Sequence, residues 1–334
     1  MKILVTGGAG FIGASICRHI LNEKNFKLTI ADRLDFDFPN ELKKNKNNFH
    51  LIKTDLSKLS NIHSKISKGY FDYIINLASL THIPTCILFP DFAYTSNTIL
   101  LLNILSCMPS KTKLINFSTS STYAPENHKH DEKKSKLKPI DFYGWTKKHG
   151  EDLTNFFSSR KNLKILNIRL ANAAGQGETN TKLLAAIITQ LKSRIVKLGN
   201  LSPRRDFIHV DDIAWVIKEL IKRNYFRNFK NVDYLNLGTG HKPISVKEIY
   251  NKIANLYPLK IKLKISNERK RKIDRELLAP DTKKLFKILP DFKPKKIDDW
   301  LPDLVSNPKL RVSKKIQKIV NKKYGKFSKK IPAY

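Results

Sequence analysis

Cysteine is scarce in this 334-residue chain: Cys17, Cys86 and Cys107 stand far apart with no CxxC pair, which argues against a disulfide framework or a zinc site and fits a reducing compartment. No metal is expected. No apolar run approaches the eighteen or so residues of a membrane-spanning helix, and the N-terminus enters a strand pattern without a basic leader and apolar core, so a soluble, cytoplasmic protein is expected. Acids are also in short supply. Against 63 Lys and Arg there are 29 Asp and Glu, a formal net charge of +34, and such a field attracts nucleic acid, anionic membranes or phosphorylated small molecules. The lysines are dispersed, however, and not gathered with interleaved aromatics, so they read as a solvated surface with no specific nucleic-acid or membrane partner.

What is present begins at once. Lys2 to Thr6 has the pattern of a short buried strand, Gly7, Gly8, Gly10 and Gly13 follow, and Phe11 to Leu21 turns helical. In a strand, glycine turn and helix of this order the glycines allow a tight bend, close backbone approach to a pyrophosphate and close helix–strand packing. The phosphates then sit on the helix N-terminus. A second strand, Phe26 to Ala31, ends in Asp32, where a carboxylate can take ribose hydroxyls and would repel a 2′-phosphate, so NAD is favoured over NADP. Arg33 pulls the other way as a candidate phosphate partner, although it also reads as a solvated loop charge. Gly7, Gly10, Phe11, Ile12, Gly13 and Asp32 are therefore the first cofactor residues.

Alternation continues downstream, with strands expected at Phe49 to Asp55, Tyr73 to Ser79 and Lys113 to Thr119 and a helix over Pro90 to Cys107. That order implies an α/β fold, a Rossmann-type doubly wound parallel sheet covered on both faces. Asp55 either reaches the adenine or caps the next helix. Beyond a Lys- and Pro-containing loop, a helix beginning near Asp141 puts Tyr143 and Lys147 on one face, where a phenol and an ammonium can share a ligand.

With the glycine turn, the hydroxyl-rich strand end at Ser118 to Ser121 and the Tyr143/Lys147 pair together, the chain resembles the extended short-chain dehydrogenase/reductase family, in particular its nucleotide-sugar epimerases and dehydratases. The resemblance covers most of the sequence. It implies Thr119, Tyr143 and Lys147 as the catalytic set, and Leu56, Leu77, Ala78 and Asn97 as further cofactor residues beside Asp55. Asn172, Arg205 in Arg-Asp-Phe-Ile-His-Val-Asp-Asp, and Arg271 would hold the substrate diphosphate, Arg271 reading otherwise as one cation of a basic run. Departures are Ala124 and Asn76, where the family often has Gly and His. A third is more telling: Thr119-Ser-Ser121 lacks the acids with which the family's 4,6-dehydratases eliminate water, so dehydration is disfavoured.

The expectation is an NAD-dependent nucleotide-sugar epimerase acting at C4 through a transient keto sugar, with Tyr143 as base. Near neutrality that phenol needs a shift of about 3 units, which Lys147 and the nicotinamide charge would supply. Alternatives are an NAD(P)H-dependent 4-keto-6-deoxy nucleotide-sugar reductase and, from another class, a nucleic-acid-binding protein on the same scaffold. Residues 1–171 are read as the NAD-binding domain, with 205–240 returning to it. Residues 172–204 and 241–334 are read as a substrate-binding lobe and basic tail in which Val312, Ile316, Ile319 and Val320 form a helical stripe. A homodimer through paired helices is implied, with the apolar face of Ile99 to Leu105 as a contributor.

Overall fold

The computed structural model describes residues 1–34, 38–58, 63–178, 182–270 and 274–310. Seven strands form one parallel sheet: β1 (Lys2–Thr6), β2 (Lys27–Asp32), β3 (Phe49–Lys53), β4 (Tyr73–Asn76), β5 (Lys113–Thr119), β6 (Lys164–Leu170) and β7 (Val232–Leu237). Their order is β7-β6-β5-β4-β1-β2-β3. The sequence reverses direction between β1 and β4, and at such a switch point the carboxyl ends of the strands open into a crevice. Both faces of the sheet are covered, as its near-continuous Ile, Leu and Val demand. One core gathers Ile3, Val5, Ile30, Ile75, Ile115 and Ile168; the other gathers Leu4, Ile74, Leu114, Leu101 and Ile104.

Four helices shape the walls of that crevice and its surroundings. Helix α1 (Phe11–Leu21) packs against α4 (Val210–Lys222), and Ser15 donates to Asp211 at 2.7 Å while Arg18 also pairs with Asp211. Helix α3 (Phe142–Lys161) opens on Asp141, whose carboxylate accepts from the Gly144 N–H at 2.8 Å, and closes at Asn162 in the left-handed region. Its start is as expected. The helix expected over Pro90 to Cys107 is interrupted: Pro90–Tyr94 is α-helical, Thr95–Ile99 widens into a π turn and α2 (Leu100–Cys107) resumes. The widened turn carries Asn97, whose amide bonds outside the helix, and π turns concentrate at such sites.

A polar row crosses the middle of the sheet. Thr6, Asn76, Asn116 and Asn167 are in direct register on β1, β4, β5 and β6. Thr6 donates to Asn76 (2.7 Å), Asn76 to Asn116 (3.0 Å), Asn116 to Asn167 (2.8 Å), and Asn167 to Thr154 of α3 (2.8 Å). All are buried, and each amide satisfies the next.

A separate core forms from Leu184, Ile187, Val196, Ile249, Ile253, Trp300 and Leu301. Around it lie very short strands: Arg204–Arg205 pairs with Ile244–Ser245 and with Leu277–Leu278, and Ile195–Leu198 pairs with Lys262–Ile265. The stripe expected at Val312, Ile316, Ile319 and Val320 lies outside the described residues. Leu101, Ile104 and Leu105, expected at a dimer contact, are buried in the protomer's own core, because their stripe faces the sheet. No helix among the described residues is long and apolar enough to cross a membrane.

Candidate active site

The crevice at the switch point is bordered by Gly7, Gly10, Asp32, Asp55, Leu56, Leu77 and Ala78. Two glycines there are obligatory. Gly7 has φ +69°, and a Cβ on it would lie 2.7 Å from the Ala78 nitrogen; a Cβ on Gly13 would lie 2.3 Å from the Gly7 carbonyl oxygen. A side chain at Gly7 would press on the backbone after β4, and one at Gly13 would push α1 off the Gly7–Gly8 turn. Helix α1 starts at Gly10 without a side-chain cap, so its first-turn N–H groups are available in type and direction to a phosphate. Asp32 accepts from the Ala9 N–H (3.0 Å) and from the Leu34 N–H (2.7 Å), which holds its carboxylate at the edge of the crevice. The backbone closeness at Gly7, the open helix end and the acid at the end of β2 suit a dinucleotide.

The other expected cofactor residues differ in what they meet. Phe11, Ile12 and Gly13 form the first turn of α1, whose N–H groups are the ones open to a phosphate. β3 stops at Lys53, two residues earlier than expected, and Asp55 accepts from the Ser57 N–H (3.0 Å) and hydroxyl (2.7 Å), so it shapes the turn it borders. Asn97 is buried, accepting from the Leu80 N–H (2.7 Å) and donating to the Leu80 carbonyl (3.0 Å) and the Thr146 hydroxyl (2.9 Å). It ties the segment after β4 to α3; Ser96 and Leu100 are what that helix presents to the crevice. Ser79, in the segment 76–79 that the family resemblance places on the nicotinamide side, also lines it, as do Thr54, Leu80 and Phe92, which were not foreseen. Only Phe92, four residues before Ser96, carries a sequence signal, helical spacing.

The catalytic candidates form a stripe along α3 facing the end of β5. Tyr143, half-buried, has the Thr119 side chain within hydrogen-bonding reach. One turn on, the Lys147 ammonium donates to the Phe117 carbonyl at 2.8 Å. A further turn on, Glu151 accepts from the Ser118 hydroxyl at 2.6 Å and pairs with Arg169 at 2.8 Å. The helix can approach this closely because Gly144 has no side chain: a Cβ there would meet the Ser121 carbonyl at 2.4 Å. Burial raises the Tyr143 phenol above its ordinary value, opposed by the Thr119 hydrogen bond, and burial lowers Lys147 to about 8, opposed by Cys86 and Glu151. Ionising the phenol at this site therefore needs positive charge close by.

The diphosphate candidates are partly engaged already. Arg205 donates to Asp274 (2.9 Å) and to the Arg275 carbonyl (2.8 Å), and Asn172 donates to the Asp206 carbonyl (3.4 Å). Arg271 lies outside the described residues. Arg275, not foreseen, is buried against the backbone carbonyl of Ser121 at 2.9 Å.

Residues 3–232 match the model of the NAD dependent epimerase/dehydratase family. The chain belongs to that family. It is 26% identical over 324 residues to the GDP-6-deoxy-D-talose 4-dehydrogenase of Aggregatibacter actinomycetemcomitans, covering 94% of this chain and 100% of the relative. To the UDP-glucuronate 4-epimerase of Thermodesulfobacterium geofontis it is 27% identical over 314 residues, covering 90% and 91%. Among solved structures, the UDP-glucuronic acid 4-epimerase of Bacillus cereus in complex with UDP-glucuronic acid and NAD superposes with a TM-score of 0.82 at 21% identity, covering 92% of this chain and 99% of that one. As a member of the epimerase/dehydratase family the protein is an NAD-dependent enzyme, and the Rossmann-type sheet carries its cofactor crevice at the β1/β4 switch.

Proposed function

We propose that the protein is an NAD-dependent nucleotide-sugar 4-epimerase with Tyr143 as base. The observation that carries this reading is the stripe of α3, which brings Tyr143 to Thr119 and Lys147 to the Phe117 carbonyl beside the cofactor crevice. Tyr143 takes the proton of the C4 hydroxyl, Thr119 shares that hydrogen bond, and Lys147 keeps a positive charge against the phenolate. NAD held in the crevice would supply the hydride chemistry at C4, and a 4-epimerisation needs no net oxidant, so no cofactor would be consumed. Ser120 and Ser121 have no carboxyl with which to eliminate water, in keeping with epimerisation.

The region built on Leu184, Ile249 and Trp300 is the natural substrate lobe, with Arg205 and Asn172 toward the diphosphate. The test is a mass-spectrometric screen of UDP-, GDP-, CDP- and dTDP-sugars with purified protein and no added cofactor. Isomer formation is expected, and product that forms only with stoichiometric reduced nicotinamide would rule the epimerase out. That second outcome is the reductase reading, favoured by one observation: the relative matched over its entire length is a 4-dehydrogenase.

A second copy of the chain is the proposed partner. Helix Ile83–Leu88 packs beside α3, and these elements expose Ile87 (60%), Trp145 (48%) and Phe156 (51%), large apolar groups that self-association would cover. Sedimentation at micromolar concentration should give a dimer, and Trp145→Glu with Phe156→Glu a monomer; a wild-type monomer would overturn it.

A further inference from the structure

Past Asn172 the chain bends through two glycines with positive φ, Gly175 (+138°) and Gly177 (+86°). Between them Gln176 is pinned to the C-terminal helix Ile297–Ser306 and its exit: it donates to Asp303 (2.8 Å) and the Asn307 carbonyl (3.1 Å) and accepts from the Lys309 N–H (2.8 Å). Gly177 in turn faces Phe11, so that a Cβ there would lie 3.8 Å from its ring. The next residue is Glu178. It therefore follows directly on a segment clamped between the far helix and the first residue of α1, beside the phosphate-binding turn.

Lys182, four residues after Glu178, lies toward the catalytic stripe. Lys182 donates to the Thr81 carbonyl at 3.4 Å, one residue beyond the crevice-lining Leu80. Lys182 lies in electrostatic reach of Cys86, which also feels Lys147 and itself acts on Tyr143. Glu178 thus follows directly on Gly177, which faces Phe11, and lies within electrostatic reach of Lys182, whose ammonium meets the backbone beside the crevice-lining Leu80. Its side chain is buried, and its Oε2 has no hydrogen-bond partner among the described residues.

A buried carboxyl oxygen without a partner is costly and is rarely left so in a native site. We propose that Glu178 is a sugar-recognition residue, hydrogen-bonding a hydroxyl of the hexose in the bound nucleotide sugar; this rests on the nucleotide-sugar reading of the active site. Among oxygen ligands, a phosphate would be the wrong partner. Burial pushes the Glu178 carboxyl up against the pull of Lys182, which disfavours a second anion beside it, and a sugar hydroxyl can donate to a carboxyl oxygen where phosphate oxygens only accept.

The experiment separates the sugar from the nucleotide. NAD-loaded wild type, Glu178→Leu and Glu178→Gln are titrated calorimetrically with UDP, GDP, CDP and dTDP and with UDP-glucose, GDP-mannose, CDP-glucose and dTDP-glucose. For the nucleotide that binds, Glu178→Leu should weaken the hexose conjugate about tenfold or more while the bare nucleotide changes by less than about twofold, and Glu178→Gln should recover most of the loss. Equal losses for nucleotide and conjugate would mean a structural role and overturn the proposal, as would no loss of either. If wild type binds no nucleotide at all, the nucleotide-sugar reading itself falls and this one with it.

Discussion

Tyr143→Phe should lower turnover by roughly 10²- to 10⁴-fold, the usual contribution of a positioned acid–base group, with NAD binding nearly unchanged. The phenyl ring keeps the packing of the phenol on α3 but removes the oxygen proposed to take the proton of the sugar hydroxyl. Thr119 cannot substitute, because an aliphatic hydroxyl is a far weaker acid and its oxygen already accepts from the Ser121 N–H at 3.2 Å. Lys147 is held on the Phe117 carbonyl. Single-turnover assays on the substrate found in the screen, with NAD titrated by fluorescence quenching, check both halves. Retained activity would remove Tyr143 from the mechanism, whereas loss of NAD binding would mean that the ring supports the crevice.

The largest effect on stability is expected from Arg169→Met. Arg169 and Glu151 are almost fully buried, with side-chain exposures of 2% and 1%. Two nitrogens of the guanidinium meet the two carboxylate oxygens at 3.1 and 2.8 Å, a third donates to the Tyr123 hydroxyl (3.2 Å) and the Glu132 carbonyl (3.1 Å), and the Tyr234 ring lies 4.5 Å away. Removing the arginine strands a carboxylate out of reach of water, for a loss of about 3–5 kcal/mol. Urea unfolding followed by tryptophan fluorescence measures it. Arg169→Met combined with Glu151→Leu should regain part of that loss, since the stranded charge goes too; a double variant no more stable than the single one would contradict this account.

Much of the site was legible because its signals are local. The glycine turn with Asp32 is a contiguous strand, bend and helix, and α3 announces itself by Asp141 three residues ahead of the amide it caps. The Arg169–Glu151 pair was not legible: its partners are eighteen residues apart, on a strand and a helix, and nothing in either segment names the other. Asn97 was placed as a cofactor contact, but a π turn aims its amide at Leu80 and Thr146, and no periodicity forecasts a widened helical turn. In the substrate region the strands at Arg204–Arg205 and Leu277–Leu278 are two residues long, too short to show alternation. The Asp274 partner of Arg205 was therefore out of view.

The row of Thr6, Asn76, Asn116 and Asn167 bears on how the chain finds its topology. Strands that each bury Ile, Leu or Val are near-interchangeable to a collapsing chain, and apolar packing alone discriminates poorly between alternative neighbours in a parallel sheet. A slip by one residue, or a neighbour with no polar side chain in that register, would seal an amide against hydrocarbon with nothing to bond. The row thus acts as a proofreading key: the order β6-β5-β4-β1 lets all four polar side chains be buried at once without an orphan. Replacing the three asparagines by leucine could leave a stable core and yet admit misordered sheets, a folding fault visible as refolding yield and not as melting temperature.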